Sequence, residues 1–449
     1  MTQDQDATAA AVTVADDERG GLLRDLLGRV AGCFPRRETR QTAAEMVSGL
    51  LMELEDHNCW TIAEALGHAG PHRLQHLLSR AVWDDQQVLQ RAADWAAGRL
   101  DDGDAVLIVD ETADAKSSAD AAGAARQYSG TLGGIALCQV AVTLTYASGR
   151  GHALIDRALY LPQACAADEE HRELAGIPEE VMFATKPELA DELLERTHQR
   201  GIRAAFVTGD EVYGGRGLRR AIRSRGMGYV LAVRANTTLT PGPGRAVKAA
   251  GAVKLIPDGA WQRLRTGAGT KGVRHYDWAM LEITADDTPD DQDNGHSVLL
   301  IRRHRYTRTM SFYRCWTPGP VPLRRLIAVA QTRWRIEEDH QLSKQVAGLD
   351  AGQVIRWKSW HRWSALCLLA YIYLAVTAAC RATGTDPAPE PGLIPLTIPE
   401  LLRLLRGAVI PQPRRDPAHR NRWSAWRRHH QYRARQAHQR WNAHADATP

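Results

Sequence analysis

Two aspartates follow apolar runs in the same way. Asp110 ends the run AVLIVD and Asp210 ends the run AAFVTGD. Such runs predict buried strands, and acids at the carboxyl ends of neighbouring strands lie at the edge of an α/β sheet where sites form. Two carboxylates there can bind Mg²⁺, which also takes water and substrate phosphate as ligands. Because Asp is common in turns, each aspartate alone is explained by a turn, and a metal site needs a third acid.

The segment RWRIEEDHQLSK, residues 333–344, offers three candidates for that third acid. In a helix that advances about 100° per residue, Glu337 lies on the same stripe as Arg333 and Lys344. Its neighbours Glu338 and Asp339 point elsewhere, and we expect both to belong to a charged, solvated helix face. A carboxylate beside two cations suits a metal ligand next to groups that bind phosphate. The alternative is an ordinary ion pair between Arg333 and Glu337, one turn apart.

The pattern along the chain predicts the elements that position these acids. Strand-like and helical segments are mixed after residue 100, which indicates an α/β sheet. Before it, two short helices across the Gly70–Pro71 turn fit either a helix-turn-helix DNA reader or a plain helical bundle. We expect a disordered N-terminus (1–20), a helical and possible DNA-binding domain (21–100), the first part of a catalytic core (101–236), a mostly β insertion (237–320), the second part of the core (321–382), and a Pro-rich linker with a basic tail (383–449).

Composition narrows the class of protein. The net charge of the 449 residues is only +5, yet residues 414–449 carry nine Arg and two Asp, which predicts a polyanion partner. The seven cysteines include no CxxC pair, so neither a zinc site nor a disulfide framework is indicated, and a cytoplasmic setting is expected. The first ten residues lack the features of a signal peptide. The apolar run at 364–380 is short and isolated, so we predict a buried helix and no membrane partner.

Several motifs together resemble one family. Ala330, Arg333, Glu337 and Lys344 stand in the register of the signature Y-x2-R-x3-E-x6-K, with Ala330 in place of the Tyr. The chain is thereby similar to the bacterial insertion-sequence transposases of the DDE superfamily. The resemblance covers residues 100–360 and includes LIVDET, RQYSGTLG, CQVAVTLTYAS, RGHALIDRALYLP, FATKPELA and VTGDEVYG.

The resemblance implies a ribonuclease-H-like core in which Asp110, Asp210 and Glu337 are catalytic and bind metal. Two Mg²⁺ ions, or Mn²⁺ as a substitute, would support strand cleavage and strand transfer on DNA. Arg333 and Lys344 would bind the DNA backbone. The implied partners are double-stranded DNA, namely the terminal inverted repeats and a target, and a second copy of the chain in a homodimer. The absence of the Tyr at position 330 removes any phosphate contact that it would make.

Other residues have a functional and a plain interpretation. Arg126 and Tyr128 in RQYSGTLG are DNA-binding candidates at the mouth of the site, or part of a turn into the next strand. Glu111 and Glu211 each follow an aspartate of the triad, and we interpret both as structural because neighbours in a strand face opposite sides. His152 and His340 could orient groups near the metals, but each is more typical of a core or surface histidine.

Aromatic residues extend the possible DNA contacts. Trp261, Trp278 and Trp316 lie in the insertion, where related transposases stack a flipped base on an aromatic ring, and the sequence does not select among them. The tail segment RNRWSAWRRHHQYRARQAHQRW interleaves Arg with aromatic residues, which favours DNA contact over docking on the body of the protein.

Two other functions share many of these features. A non-catalytic DNA-binding protein derived from a transposase would keep the basic segments and use no metal chemistry, and the intact acids argue against it. A ribonuclease-H-like nuclease without strand transfer is disfavoured by the long insertion and the basic tail.

Overall fold

A computed structural model describes residues 3–242, 244–269, 272–293, 295–383 and 396–447 of the chain. The Pro-rich segment TDPAPEPGLIPL, predicted to be a linker, lies outside these residues except for its last Leu. Helices cover both ends of the described chain and flank one large sheet. The helices are α1 (Gln3–Val30), α2 (Arg37–Leu51), α3 (Cys59–Ala65), α4 (His72–Ser79), α5 (Asp85–Leu100), α6 (Gln163–Ala167), α7 (Glu169–Ala175), α8 (Lys186–Gln199), α9 (Arg216–Ser224), α10 (Ala249–Ala252), α11 (Leu323–Thr332), α12 (Trp334–Ala347), α13 (Trp357–Thr383), α14 (Ile398–Ala408) and α15 (Pro417–Ala447), with short 3₁₀ helices at Ala31–Cys33, Val253–Leu255 and Asp258–Ala260.

The first helix differs from the expectation for its segment. Helix α1 begins at Gln3, within the residues 1–20 for which acidic, Ala-rich composition predicts disorder. Alanine has the highest intrinsic helix propensity, so the same composition also favours a helix.

The strands form a mixed sheet of ten strands and a separate two-stranded ribbon. The strands are β1 (Val106–Ala115), β2 (Ala125–Ser129), β3 (Gly134–Ala147), β4 (His152–Tyr160), β5 (Phe206–Gly209), β6 (Gly228–Val233), β7 (Thr238–Leu239), β8 (Val247–Lys248), β9 (Gln262–Gly269), β10 (Gly272–Glu282), β11 (His296–His304) and β12 (Met310–Thr317). The order in the sheet is β2-β3-β1-β5-β6-β12-β11-β10-β9, with β4 also paired to β3, while β7 and β8 form the ribbon. Strands β1, β5 and β6 are parallel and the other pairs are antiparallel.

The Gly-, Pro- and Thr-rich region contributes strands to the main sheet. Its last strand, β12, pairs with β6, and β11, β10 and β9 continue outward from there. The strand-like pieces in the sequence therefore extend the same sheet that carries the two aspartates, although part of this region also packs a small core of its own around Leu239, Ala249 and Phe312.

The long apolar helix α13 lies at the centre of the packing. By length and composition its segment Trp357–Cys380 is able to cross a membrane, but 89% of its apolar 18-residue window is buried inside the protein. It packs against α5, α2, α12 and strand β4. This environment agrees with the prediction of a buried helix, because the apolar residues are covered on all sides by other elements.

Candidate functional site

Strand pairing places the first two aspartates next to each other in the sheet. Strands β1 and β5 are parallel neighbours, with Val109 opposite Gly209. Asp110 is the next residue of β1, and Asp210 directly follows the end of β5, so the two aspartates lie side by side. The pairing agrees with the prediction that the two acids belong to neighbouring strands, but Asp110 does not end its strand, because β1 continues for five residues to Ala115.

The two carboxyl groups lie in an environment that disfavours negative charge. Burial and the neighbouring charge of Asp210 raise the pKa of Asp110 to about 7, although Arg333 and the N–H of Glu111 favour its ionised form. Burial also raises the pKa of Asp210, against a hydrogen bond of 2.8 Å that its Oδ1 accepts from the N–H of Val212. Such a pair is stabilised by a cation placed between the two carboxylates.

Arg333 supplies positive charge and connects the aspartates to the third acid. Its Nη1 lies 3.2 Å from Asp110 Oδ2, and its Nη2 donates to Glu337 Oε1 at 2.6 Å. Burial opposes the charge of Arg333, but the carboxylates of Asp110, Glu337 and Asp210 outweigh it and raise the pKa of the guanidinium. The ordinary ion pair between Arg333 and Glu337 is thus present, and the same arginine lies near both aspartates.

The three acids have the chemistry of a metal site but are not gathered as one here. Among the residues that the structure describes, no three His, Cys, Asp or Glu side chains are close enough to hold one ion. The Arg333 guanidinium lies among the acids, which shows that they attract a cation. Carboxylate oxygens are the donors that Mg²⁺ prefers, so Asp110 and Asp210 fit a divalent ion, with Glu337 one-third exposed beside them.

Helix α12 lies along β1 and is fixed to it at both ends. Arg333 contacts Asp110 near the start, while Lys344 Nζ lies 2.7 Å from Asp114 Oδ1 and donates to Ala113 O at 2.8 Å. The eleven residues from Arg333 to Lys344 rise about 16 Å in a helix, and the four from Asp110 to Asp114 span about 13 Å in a strand. The two lengths are comparable, so Lys344 has a structural partner in this arrangement.

His340, in the middle of α12, also contributes to the contact between this helix and the sheet. Its Nε2 lies 2.7 Å from Thr143 Oγ1, and this hydroxyl donates to the backbone oxygen of Asp110 at 3.0 Å. Burial lowers the pKa of His340 to about 4, so the ring is neutral at pH 7. The histidine therefore supports the backbone of an acidic residue of the site without adding charge.

The prediction for Asp339 is wrong. It was expected on a solvated helix face, but its side chain is fully buried and accepts hydrogen bonds from Thr145, His152 and Tyr371. Glu338 is exposed, as expected. Helical periodicity placed both residues away from Glu337, but only the packing of β3, β4 and α13 against α12 separates the buried position from the exposed one.

The DNA-binding candidates of RQYSGTLG lie away from the aspartates. Arg126 is opposite Leu137 on β3, whereas Asp110 is opposite Thr143. Residues 137 and 143 are six apart, about 20 Å in an antiparallel strand, and Tyr128 lies two residues further along β2. Tyr128 is 73% exposed, so it is accessible to a partner at the edge of the sheet rather than beside the carboxylates.

The glutamates that follow the aspartates have partners of their own. Glu111 accepts from Lys186 Nζ at 2.7 Å and from Tyr213 OH at 2.6 Å. Glu211 is exposed and lies 3.7 Å from Arg234. Both contacts agree with the structural interpretation of these residues.

The insertion tryptophans differ in accessibility. Trp278 and Trp316 are buried, the first stacked on Tyr313. Trp261 is half-buried and Arg303 lies over its ring at 3.9 Å. Of the three, Trp261 is the one whose ring reaches the surface.

Several residues of the site escaped the sequence analysis. Asp114 follows Asp110 at a spacing of four in a strand, so the period of two places both on one face, and that signal was available. Thr143 and Tyr371 carried no signal, because their roles depend on contacts between distant segments. Ala330, where the signature has Tyr, is buried in α11 one turn before Arg333.

Comparisons with known proteins agree on one family. The family described as "DDE superfamily endonuclease" matches residues 29–255, and the one described as "Transposase DDE domain" matches residues 184–373. A relative named "Probable transposase for insertion sequence element IS701", from Microchaete diplosiphon, is 25% identical over 206 residues, which are 45% of this chain. The match spans 51%, about half, of that relative's length.

A solved structure also shows a weak likeness. It is the cryo-EM structure of the piggyBac transposase synaptic complex with hairpin DNA, with 11% identity and a TM-score of 0.45, covering 91% of this chain and 84% of that one. This likeness is too low to establish a shared fold.

Proposed function

The chain belongs to the insertion-sequence transposases of the DDE superfamily, and we propose that it cuts DNA at the ends of an insertion element and joins them to a target with the help of Mg²⁺. The observation that carries this proposal is the pair Asp110 and Asp210 on adjacent parallel strands, with Glu337 linked to them through Arg333.

The proposed catalytic core is ribonuclease-H-like. Its support is the strand order β4-β3-β1-β5-β6, in which three antiparallel strands are followed by two strands parallel to β1. Asp210 follows the carboxyl end of β5, the kind of position where sites of α/β sheets form, and Asp110 lies next to it within β1. The strands from residues 237–320 extend the sheet on the β6 side.

We assign each residue a role on this basis. Asp110, Asp210 and Glu337 would hold Mg²⁺, or Mn²⁺ in its place. A pair of such ions, when bound, activates a water or a 3′-hydroxyl and stabilises the leaving oxygen of the DNA strand. Arg333, which contacts Asp110 and Glu337, is placed to bind a phosphate of the substrate, while Lys344 orients α12 through Asp114.

The proposed partners follow from the reaction. Terminal inverted repeats and a target supply the double-stranded DNA, and two ends are paired most simply by a homodimer. Arg126 and Tyr128 would contact DNA away from the scissile strand, and the cytoplasm would be the site of action.

Strand cleavage on the element's own terminal repeats tests the proposal. With Mg²⁺, Glu337→Gln should lower the rate by at least on the order of 100-fold, beyond what loss of a supporting residue around a metal usually causes. Glu338→Gln makes the same change on the neighbouring, exposed residue and should leave cleavage near the wild-type rate. Loss of cleavage in Glu338→Gln alone would refute the assignment.

The same assay separates the alternative function. Because Arg333 is paired with two of the acids and no group of three is gathered among the described residues, a DNA-binding protein without catalysis is the second candidate. Tight binding of the terminal repeats by the wild type, with no nicking in Mg²⁺ or Mn²⁺, would favour it.

A further inference from the structure

Asp339 is a fully buried carboxylate on the helix that carries Glu337. Its Oδ2 accepts from Thr145 Oγ1 at 2.6 Å, and its Oδ1 accepts from Tyr371 OH at 2.5 Å and lies 2.8 Å from His152 Nδ1. These partners belong to β3, α13 and β4, respectively. One side chain therefore ties α12 to three different elements.

Stability alone is a weak explanation for this cluster. A buried charge is expensive to remove from water, and well-packed apolar residues of similar volume often stabilise a fold as well or better. Hydrogen bonds from three fixed directions instead define where the carboxylate sits. A network of this kind specifies one arrangement of the packed elements when every member is satisfied.

The hydrogen bonds of Asp339 affect the orientation of Glu337, because both residues are on α12. The two residues are two positions apart, so they point about 200° apart around the helix axis. Holding Asp339 against β3, β4 and α13 fixes the rotation of α12, and Glu337 and Arg333 are then turned toward Asp110. A small rotation of α12 would move Glu337 away from the aspartates.

We infer that Asp339 is a positioning residue, which holds α12 in the rotation that places Glu337 beside Asp110 and Asp210. Thr145, His152 and Tyr371 complete the support. The inference rests on the proposed metal-binding function, and it assigns no contact between Asp339 and a metal or substrate.

Tyr371→Phe tests the inference with a minimal change, since it removes one hydroxyl that donates to Asp339. The chain offers a matched control in Tyr229→Phe, because Tyr229 is also fully buried and its hydroxyl donates to another fully buried carboxylate, Asp287. The readout is the dissociation constant of Mn²⁺ for the full chain without DNA, from the EPR signal of the free ion, with thermal unfolding measured in parallel.

We expect both variants to lower the Tm, and only Tyr371→Phe to weaken Mn²⁺ binding, by roughly tenfold, as for other residues that support metal ligands. In a Glu337→Gln background, Tyr371→Phe should have no further effect on Mn²⁺ binding, because it acts through Glu337. Asp339→Asn should weaken Mn²⁺ binding at least as much as Tyr371→Phe.

Equal Mn²⁺ affinity in Tyr371→Phe and Tyr229→Phe would overturn the inference, as would an undiminished effect of Tyr371→Phe in the Glu337→Gln background. A wild-type chain that binds Mn²⁺ and cleaves DNA while Tyr371→Phe behaves like its control would refute this inference alone. A wild-type chain that binds no Mn²⁺ would refute both it and the proposed function.

Discussion

Asp110 is held where its ionised form is unfavourable. Its pKa is raised by burial and by Asp210 to about 7, from an ordinary value of 3.8. At low pH the group is protonated in both folded and unfolded chains, and it does not weaken the fold. As the pH rises through 4 toward 7, the unfolded chain releases the proton first, so the metal-free folded state loses stability.

Asp110→Asn removes this pH-dependent loss. In the presence of a chelator, the free energy of unfolding at pH 8 should increase by about 1–3 kcal/mol relative to wild type, and the difference should vanish near pH 4. Urea unfolding at the two pH values measures it. Glu179→Gln, at an exposed acid, is the control and should change nothing, whereas an Asp110→Asn protein less stable than wild type at pH 8 would contradict the account.

Arg333 and Lys344, the two basic residues of the family signature, have different environments. Arg333 contacts two acids of the site, whereas Lys344 contacts Asp114 and a backbone oxygen of β1. Helical periodicity predicted that both side chains lie on the same side of α12 as Glu337. Because α12 is long, the two cations contact different parts of β1. The resemblance alone gave them one role in DNA binding.

At the scale of elements, the C-terminal end of α12 depends on a glycine. It ends at Gly348, which has φ of 63° and whose N–H donates to the backbone oxygen of Lys344. A Cβ at Gly348 would lie 2.9 Å from the Cβ of His57. The glycine thus meets both a left-handed backbone and a close neighbour.

Gly348→Ala should lower the free energy of unfolding by about 2–4 kcal/mol, since left-handed backbone alone costs about 1–2 kcal/mol for a residue with a Cβ and the crowding against His57 adds to it. Gly226→Ala is the matched control. Gly226 follows α9 with φ of 74°, and a Cβ there would meet nothing within 4 Å, so only the backbone term applies. Chemical unfolding measures both variants. An equal decrease in the free energy of unfolding in the two would show that the contact with His57 does not contribute.

At the scale of the whole molecule, α15 packs on the N-terminal helices. Trp423 is buried and its Nε1 donates to the backbone oxygen of His68 at 2.8 Å, while Trp426 contacts Trp60 and stacks on His430. The first half of the basic tail is therefore docked, as in the alternative interpretation of its sequence. Residues 431–442 are almost entirely exposed and include Tyr432 and Trp441.

We expect the exposed half of α15 to bind the DNA backbone. Changing Arg433, Arg435 and Arg440 together to Gln should weaken binding of any duplex and reduce the slope of log affinity against log salt by up to about 3, since each phosphate contact contributes about 0.9. Fluorescence anisotropy without metal measures both quantities.

A control with the same change of charge distinguishes a local contact from a general electrostatic effect. Arg36, Arg37 and Arg203 are exposed elsewhere, and their joint change to Gln should alter the salt slope less. If the two triple variants bind DNA alike, the exposed half of α15 has no specific part in binding.

The sequence by itself determined the local features of the site. Apolar runs predicted the strands β1 and β5, although β1 continues past Asp110 to Ala115, and helical periodicity separated Glu337 from its two acidic neighbours. Both signals are short-range, because strand and helix periods depend on residues a few positions apart. The register of the family signature added the prediction that Glu337 is the third acid.

Only the tertiary structure decided which of these residues share an environment. It placed Asp339 in the core, paired Lys344 with Asp114, moved Arg126 and Tyr128 away from the aspartates and joined the insertion strands to the main sheet. Each outcome depends on packing between segments far apart in the chain. The spacing of residues along a sequence does not give the distance between two strands of a sheet, or between a helix and the strand on which it lies. These contacts were therefore decided by the burial of side chains and the pairing of strands.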